Sequence, residues 1–381
     1  MYEMILFDVD GVLLSEKRCF DTTCLAVWEL LYSDQMLGLP EGSFTPAPDE
    51  ETIGEVRRDV FDGEKILEGL KAQGVNSNWD MVAFLFGFQL QELLKQLFAK
   101  QPDFVSRLLT EDLDRETLVW IGESCRRERI KFLPRYGKVT EYLEEMSPDQ
   151  GDLLGQINGL AQSWSGIQAT CFSHGGSLWN LGLEVYQEWY LGGDLYEKQE
   201  QKAPLYPEKT GFLKQEIPIV EPSAIRDMLD QLKLSVTLGI GTGRPSLETQ
   251  MPLEAMEWLP AFDPDRIVTA SDVRRAEKSG PDLGPLGKPH PFTYLKAYRG
   301  KNFSDADILA IDLPISGGER VLIVGDSVAD LLAARQMGCH FAATLTGPSG
   351  EKARAKFEEL GADYILQDVT EVLSLIRGLG K

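Results

Sequence analysis

Acidic side chains follow two short apolar runs of this chain, at the points where each run ends. Asp8 and Asp10 lie in the segment DVDGV directly after the first run. Asp326 and Asp330 lie in GDSVAD directly after a second run near the other end of the chain. Carboxylates gathered at one place repel each other unless a cation lies between them, and Mg²⁺ binds through one or two carboxylates together with phosphate oxygens. These acids therefore predict a magnesium site for a phosphorylated ligand.

One carboxylate of such a site can act as a nucleophile on phosphorus, and Asp8 is the candidate. Attack by Asp8 gives an acyl phosphate, whose formation and hydrolysis need a general acid and then a general base. Asp10 lies two residues along and can serve both steps. Thr242, in the segment GTGRP, and the backbone N–H groups near Gly243 can donate hydrogen bonds to the phosphoryl group. Lys288, in GKPHP, can offset the remaining negative charge.

Buried strands must bring these residues together, and the sequence predicts them. Three continuous apolar runs each end in a polar, turn-prone segment, as expected for strands covered on both faces in a parallel sheet. Ligand sites of open parallel sheets form beyond the carboxyl ends of the strands. Alternating strand and helix patterns over residues 222–381 predict a doubly wound α/β domain. The predicted strands are Met4–Phe7, Val236–Ile240, Ile267–Thr269, Val321–Val324, Phe341–Leu345 and Tyr364–Leu366.

Residues 14–221 have a different character. Helical periodicity recurs there with almost no strand pattern, and we expect the aromatic-rich faces to pack as a helix-bundle core. The first strand is thus separated from its sheet by a long insertion, which a surface connection tolerates at little cost in chain entropy. We expect an α/β core over residues 1–13 and 222–381, and an inserted α-helical domain over residues 14–221. The predicted helices include Asp21–Tyr32, Trp79–Phe98, Glu116–Phe132, Lys138–Met146 and Leu178–Leu191.

Composition and charge argue against several classes of protein. The formal net charge of −22 disfavours nucleic acid as a partner, because phosphate backbones are bound by surplus Lys and Arg. The most apolar long stretch, residues 79–99, is interrupted by charged and amide side chains and predicts an amphipathic helix rather than a membrane span. Five scattered cysteines and the lack of a visible targeting segment predict a cytoplasmic location. The oligomeric state is left open.

Four segments of the chain resemble, in order, the four motifs of the haloacid-dehalogenase-like (HAD) phosphohydrolases. They are DVDGV (8–12), GTGRP (241–245), GKPHP (287–291) and GDSVAD (325–330). The similarity is greatest to the branch that includes phosphoglycolate phosphatase-like enzymes, which carry a helical cap inserted after the first strand. The resemblance implies a Rossmann-like HAD core and Mg²⁺ as cofactor. The insertion is larger than the caps typical of this branch, so the substrate does not carry over.

The resemblance also implies roles for single residues. It implies Asp8 as nucleophile and metal ligand. It implies Asp10 as general acid/base and as a metal ligand through its backbone carbonyl. Thr242 would be the hydroxyl that binds phosphate, and Lys288 the cation that orients it.

Further residues around these motifs are candidates as well. By resemblance, Asp326 is a metal ligand, and Asp330 orients the site from behind the ligands. Arg244 lies beside the motif threonine and, with Gly243, is a candidate for binding the substrate phosphate. A structural ion pair is an equally good interpretation of Arg244.

The leading hypothesis for function is a Mg²⁺-dependent phosphatase that acts on a small phosphorylated metabolite through an aspartyl-phosphate. A phosphomutase is an alternative within the same chemistry and would return the phosphoryl group to the substrate. A catalytically silent regulator that binds a phosphorylated ligand is an alternative of another class, although it has no need for the complete motif set. A dehalogenase is disfavoured, because such relatives lack the second aspartate supplied here by Asp10.

Overall fold

A computed structural model describes the chain over residues 2–75, 77–146, 153–279 and 285–379. The chain forms two compact units. One comprises Met1–Glu16 together with Leu213–Lys381, and the other comprises Lys17–Phe212. The chain therefore leaves the first unit shortly after its first strand and returns to it about halfway along.

The unit Lys17–Phe212 is helical, as its periodicity predicts. Its helices among the described residues are α1 (Lys17–Tyr32), α2 (Glu50–Val60), α3 (Lys65–Ala72), α4 (Asn78–Phe98), α5 (Pro102–Leu108), α6 (Arg115–Arg127), α7 (Tyr136–Glu145), α8 (Leu153–Ser165), α9 (Ser177–Leu191) and α10 (Gly193–Glu200). Helix α1 lies at the centre and packs against α2, α4 and α9, with every residue from Arg18 to Leu31 buried. Such tertiary burial stabilises helices that are marginal alone in water. None of the helices in the described part of the chain combines the length and apolarity that a bilayer crossing requires.

Two details of this unit differ from the predictions. The helix predicted over Glu116–Phe132 ends at Arg127, because Arg129 takes a left-handed φ of 53° that an α-helix cannot continue through. Trp120 lies on the same helix and is one of the aromatic residues whose faces the sequence predicts in the bundle core, but it is 55% exposed. Periodicity identified the helix correctly, but it did not identify which face is buried.

The other unit contains a six-stranded parallel sheet. Its strands are β1 (Met4–Phe7), β2 (Thr237–Gly241), β3 (Ile267–Val268), β4 (Val321–Gly325), β5 (His340–Thr344) and β6 (Tyr364–Leu366). They are ordered β3-β2-β1-β4-β5-β6. In the centre, Leu6 of β1 pairs with Gly239 of β2 on one side and with Ile323 of β4 on the other. The three strands that precede the predicted site are therefore neighbours, and their carboxyl ends share one edge of the sheet.

Helices cover both faces of this sheet. Alternate side chains of β1 point to opposite faces, so that Ile5 and Phe7 join one apolar cluster while Met4 and Leu6 join another. This two-sided burial confirms the predicted doubly wound α/β core. The helices of the unit among the described residues are α11 (Pro222–Leu232), α12 (Ser246–Ala255), α13 (Ala270–Ser279), α14 (Phe292–Arg299), α15 (Asp305–Leu309), α16 (Val328–Met337), α17 (Arg354–Glu359) and α18 (Glu371–Leu379).

The two divisions between the units lie three and nine residues from the predicted positions. They fall after Glu16 and after Phe212, whereas the sequence places them after residues 13 and 221. The returning segment belongs with the sheet unit because it pairs with the outgoing one, as the N–H of Ser15 donates to the carbonyl of Ile217 at 2.8 Å. The two connections thus run side by side before the helical unit begins.

Candidate active site

Asp8 lies at the carboxyl end of β1. Its N–H donates to the carbonyl of Val324 at 2.9 Å, so pairing with β4 fixes the position of its backbone. Oδ1 accepts a hydrogen bond from the N–H of Val9 at 2.8 Å, and Oδ2 lies 2.7 Å from Nζ of Lys288. Burial raises the pKa of Asp8 to about 7, although the attraction of Lys288 opposes this. The strand therefore presents a buried, oriented carboxyl group beside a cation.

Lys288 supplies that cation and joins two carboxylates. Its Nζ lies 2.7 Å from Oδ2 of Asp8 and 2.7 Å from Oδ1 of Asp330. Burial alone would lower the pKa of Lys288, but Asp330 and Asp8 raise it above its usual range. The ammonium also donates to the carbonyl of Gly241 at 3.4 Å, at the end of β2. Lys288 is therefore protonated at neutral pH and connects groups from β1, β2 and α16.

Asp330 is fully buried in the first turn of α16. Ser327 caps this helix, since its Oγ accepts from the N–H of Asp330 at 3.2 Å and donates to Oδ2 at 2.6 Å. The hydroxyl of Tyr294 donates to Oδ1 at 2.7 Å, and Lys288 lies at the same oxygen. Protein groups thus engage both oxygens of Asp330, which suits the orienting role predicted for it.

Three carboxylates of the site form a cluster that could hold a metal ion. One oxygen each from Asp8, Asp326 and Asp330 lies within 4.8 Å of the others. Among the described residues, three carboxyl groups here lie beside the ammonium of Lys288, and a hard divalent cation fits such a set of oxygen donors. Protein groups engage both oxygens of Asp8 as well as both oxygens of Asp330, so direct ligation by Asp8 and Asp326 stays a prediction from the motif resemblance. The side chain of Asp10 is not in this cluster, and its ligation through the carbonyl stays a prediction.

Two glycines enclose the carboxylate of Asp326. A Cβ built on either Gly11 or Gly347 would overlap its Oδ2. Gly11 also has a left-handed φ of 67°, which residues with a Cβ rarely adopt. Glycine in the segment DVDGV is therefore required both for space and for backbone conformation.

We expect Gly11→Ala to displace the Asp326 carboxylate and to weaken Mg²⁺ binding by about 10- to 100-fold, the usual effect of disturbing groups that orient metal ligands. Isothermal titration calorimetry with Mg²⁺ measures this. The matched control is Gly361→Ala, where φ is 72° but a Cβ would meet nothing within 4 Å. The control should share the backbone strain and keep its Mg²⁺ affinity. Equal affinities in the two variants would contradict the steric argument.

The turn after β2 carries the residues predicted to bind phosphate. Thr242 is 1% exposed, and its N–H donates to the carbonyl of Val268 at 3.0 Å. Its Oγ1 accepts from the N–H of Arg244 at 3.2 Å, which leaves the hydroxyl proton available for another acceptor. A Cβ on Gly243 would meet nothing within 4 Å, so this turn has open space beside its backbone. These features suit hydrogen bonding to a phosphoryl group, which stays a prediction.

Arg244 is directed toward two carboxylates. Its Nε and Nη2 lie 2.8 and 2.6 Å from Oδ1 of Asp10. Its Nη1 lies 2.7 Å from Oε1 of Glu216, and the Arg244 side chain is only 4% exposed. The structure therefore brings together Arg244 and Asp10, two residues singled out in the sequence, as an ion pair.

Four residues that shape the site were not predicted: Glu216, Tyr294, Ser327 and Gly347. Ser327 could have been found, because a serine three residues before an acid at the start of a helix is a capping pattern. Glu216 and Tyr294 carry no such signal, since each contacts its partner only through folding. Gly347 is one of 36 glycines, and only its packing against Asp326 distinguishes it.

Comparison with known proteins finds a matching family model and a solved structure that is similar over the whole chain. A family model described as HAD-hydrolase-like matches residues 285–372. No protein of curated function matches the chain. An X-ray structure of a Northeast Structural Genomics Consortium target is 36% identical, with a TM-score of 0.85, over 100% of this chain and 99% of that one. Both units of the fold therefore recur together in that relative.

Two further solved structures are more distant. Phosphatase Tt82 from Thermococcus thioreducens is 19% identical over 97% of each chain, with a TM-score of 0.45. A HAD-superfamily hydrolase of subfamily IA, variant 1, from Geobacter sulfurreducens is 18% identical over 98% of this chain and 96% of that one, with a TM-score of 0.39.

Proposed function

Because a HAD-hydrolase-like family model matches residues 285–372, we propose that this chain belongs to the haloacid-dehalogenase-like (HAD) superfamily and is a Mg²⁺-dependent phosphatase of a small phosphorylated metabolite. The observation that carries the proposal is the buried carboxyl group of Asp8, oriented by the N–H of Val9 and paired with Lys288. The inserted helical unit is the proposed source of substrate selection. The five cysteines are buried and form no disulfide among the described residues, which supports a reducing, cytoplasmic location.

In the first proposed step, an oxygen of Asp8 attacks phosphorus. The new P–O bond gives an aspartyl-phosphate as the ester P–O bond breaks, and the departing alkoxide takes a proton from Asp10. Lys288 stays beside the reacting carboxylate and offsets the charge on the phosphoryl oxygens. The hydroxyl of Thr242 and the N–H of Gly243 are the proposed hydrogen-bond donors to these oxygens.

In the second step, water attacks the same phosphorus and gives its proton to Asp10. The acyl-phosphate bond breaks, inorganic phosphate departs, and Asp8 is restored as a carboxylate. Asp10 thereby regains the proton that it gave to the leaving group, so that one residue serves as acid and then as base. When bound by Asp8 and Asp326, with the carbonyl of Asp10 as a further proposed ligand, Mg²⁺ would neutralise charge on the phosphoryl oxygens.

A screen of phosphorylated metabolites tests this function directly. The purified protein, with Mg²⁺, should release inorganic phosphate from at least one class of phosphate monoester, and chelation of the metal should stop the release. A panel without any phosphate release would contradict the proposal. Isomerisation without phosphate release would identify a phosphomutase instead, and binding without turnover would identify a silent regulator.

Mg²⁺ binding should tighten as the pH rises from 6 to 8. The raised pKa of Asp8, about 7, means that this group is mostly protonated at pH 6 and mostly ionised at pH 8 in the metal-free protein. A carboxylate must lose its proton to bind a metal, so the dissociation constant should fall about tenfold over this interval. Calorimetric titrations at both pH values measure it. In the Asp8→Asn variant the dissociation constant should change much less between the two pH values. A change as large as in the wild type would show that another group is responsible for the pH dependence.

A further inference from the structure

We propose that Arg244 and Glu216 form a positioning pair, which holds Asp10, the general acid/base of the reaction, at the partly exposed end of a chain of ion pairs. The inference rests on the proposed function, because it concerns how the proton donor is directed at the leaving group. It assigns Arg244 to Asp10 rather than to the phosphate of the substrate.

Arg244 holds one oxygen of Asp10 and leaves the other one open. Its Nε and Nη2 both contact Oδ1, at 2.8 and 2.6 Å. Charge-assisted hydrogen bonds of this length restrict the position and rotation of a carboxylate. Among the residues that the structure describes, no hydrogen bond to the second oxygen, Oδ2, is found, and the Asp10 side chain is 28% exposed. One oxygen is thus fixed by the protein, and we assign proton transfer to the other oxygen of this partly exposed side chain.

Glu216 in turn fixes Arg244. Its Oε1 lies 2.7 Å from Nη1, and its side chain is 1% exposed. Because the guanidinium is planar and presents its N–H groups at fixed angles, a carboxylate on Nη1 determines where Nε and Nη2 point. A substrate phosphate would have to displace a carboxylate in order to reach these nitrogens. The contacts therefore favour positioning of Asp10 over phosphate binding.

Glu216 also links the ion pairs to the two connections that run side by side. It lies in the segment that returns from the helical unit, next to Ile217, whose carbonyl accepts from the N–H of Ser15 in the outgoing segment. The paired connections, Glu216, Arg244 and Asp10 therefore form a continuous series of contacts within the sheet unit. The placement of the Asp10 carboxylate depends on the conformation of these connections.

Substrates with different leaving groups distinguish positioning of Asp10 by Arg244 from binding of the substrate phosphate by Arg244. An alkyl phosphate releases a basic alkoxide that needs a proton from Asp10, whereas para-nitrophenyl phosphate releases a stable phenolate that does not. We expect Arg244→Gln to lower kcat/KM about 100-fold for the alkyl phosphate of the panel that is hydrolysed fastest, the scale of general acid catalysis. The loss in kcat/KM with para-nitrophenyl phosphate should be less than about tenfold, and KM should not rise for either substrate. Glu216→Gln should show the same pattern with smaller losses.

A double variant tests whether Arg244 acts through Asp10. Asp10→Asn should show the same dependence on the leaving group, and adding Arg244→Gln should lower kcat/KM by less than about twofold more, because both changes remove one function. The matched control is Arg275→Gln, which removes a 2.8 Å pair with Asp272 in the same unit, where the arginine side chain is 62% exposed. It should leave hydrolysis of both substrates unchanged.

Two results would overturn the inference. Equal losses with both substrates would indicate a general structural role, and a raised KM with unchanged kcat would indicate phosphate binding. Thermal unfolding identifies variants that fail to fold, and if Arg244→Gln fails, the dependence on the leaving group in Glu216→Gln decides. The Asp8→Asn variant, measured in the same assays, tests the proposed function independently of the positioning pair. It should be inactive, and turnover by this variant would contradict the proposed function.

Discussion

The Asp8→Asn variant is expected to release no measurable phosphate, with kcat lowered by ~10⁴-fold or more, the scale that removal of an enzymatic nucleophile produces. Asparagine keeps the shape of the side chain, and its Oδ1 can still accept the hydrogen bond from Val9. It lacks the anionic oxygen that forms the bond to phosphorus. A phosphate-release assay measures the loss. Acid quenching with labelled substrate should trap phosphoryl-protein in the wild type and none in the variant.

A change in folding cannot explain this expected loss. Burial raises the pKa of Asp8 from 3.8 to about 7, so the folded state binds more protons than the unfolded state between these pH values. Ionised Asp8 therefore lowers stability as the pH rises through this window. Asparagine does not ionise, so without divalent cations the variant should melt at the wild-type temperature or above at pH 8. Asp227→Asn, at an exposed position of α11, should retain full activity. A folded Asp8→Asn variant with wild-type turnover would exclude Asp8 as nucleophile.

Lys288→Met is expected to impair both catalysis and stability. The side chain is 13% exposed and lies 2.7 Å from carboxylates of both Asp8 and Asp330. Its removal leaves two buried acids without their cation, which typically costs about 3–5 kcal/mol of unfolding free energy. Loss of a charge that stabilises the transition state should lower kcat/KM by ~10²- to 10³-fold. Urea unfolding without divalent cations and steady-state kinetics measure the two effects.

The pH dependence of the Lys288→Met effect provides an internal check. Without the lysine, the buried carboxyl groups either bind protons when the protein folds or remain as unfavourable buried charges. Both costs grow as the pH rises, so the destabilisation should be larger at pH 8 than at pH 5. Lys301→Met is the control, because this lysine is 29% exposed and lies 3.7 Å from Asp272. The Lys301→Met variant should have nearly the same free energy of unfolding and the same kcat/KM as the wild type. Destabilisation of Lys288→Met by the same amount at both pH values would show that lost packing, rather than lost charge, is responsible.

Local patterns were sufficient to predict the core. The apolar runs Met4–Phe7 and Val321–Val324 became β1 and β4 with nearly unchanged bounds, because continuous apolar segments bounded by turn residues are typical of strands buried on both faces. Their shared direction in a parallel sheet then places the acids that follow them at one edge. The insertion of a helical unit after the first strand was also predictable, since helical periodicity is a signal within each segment.

The predictions that differ from the structure concern the buried face of one helix and the boundaries between the two units. Trp120 lies on a helix whose presence, although not its end, was correctly predicted, yet it is more than half exposed. The boundaries between the two units differ from the predicted ones because residues around Ser15 and Ile217 pair with each other. Both outcomes depend on which neighbour an element packs against, and that information is spread over distant parts of the chain.

The sequence by itself determined the set of chemical groups and the sheet edge at which they gather, because residue types, strand periodicity and motif order are local properties. Tertiary structure alone decided the partner of each charge. Arg244 finds Asp10 across 234 positions and Glu216 across 28, and Lys288 joins two acids from different elements. Ion pairing depends on distances of a few ångströms and on burial, and both are set only when remote segments pack together.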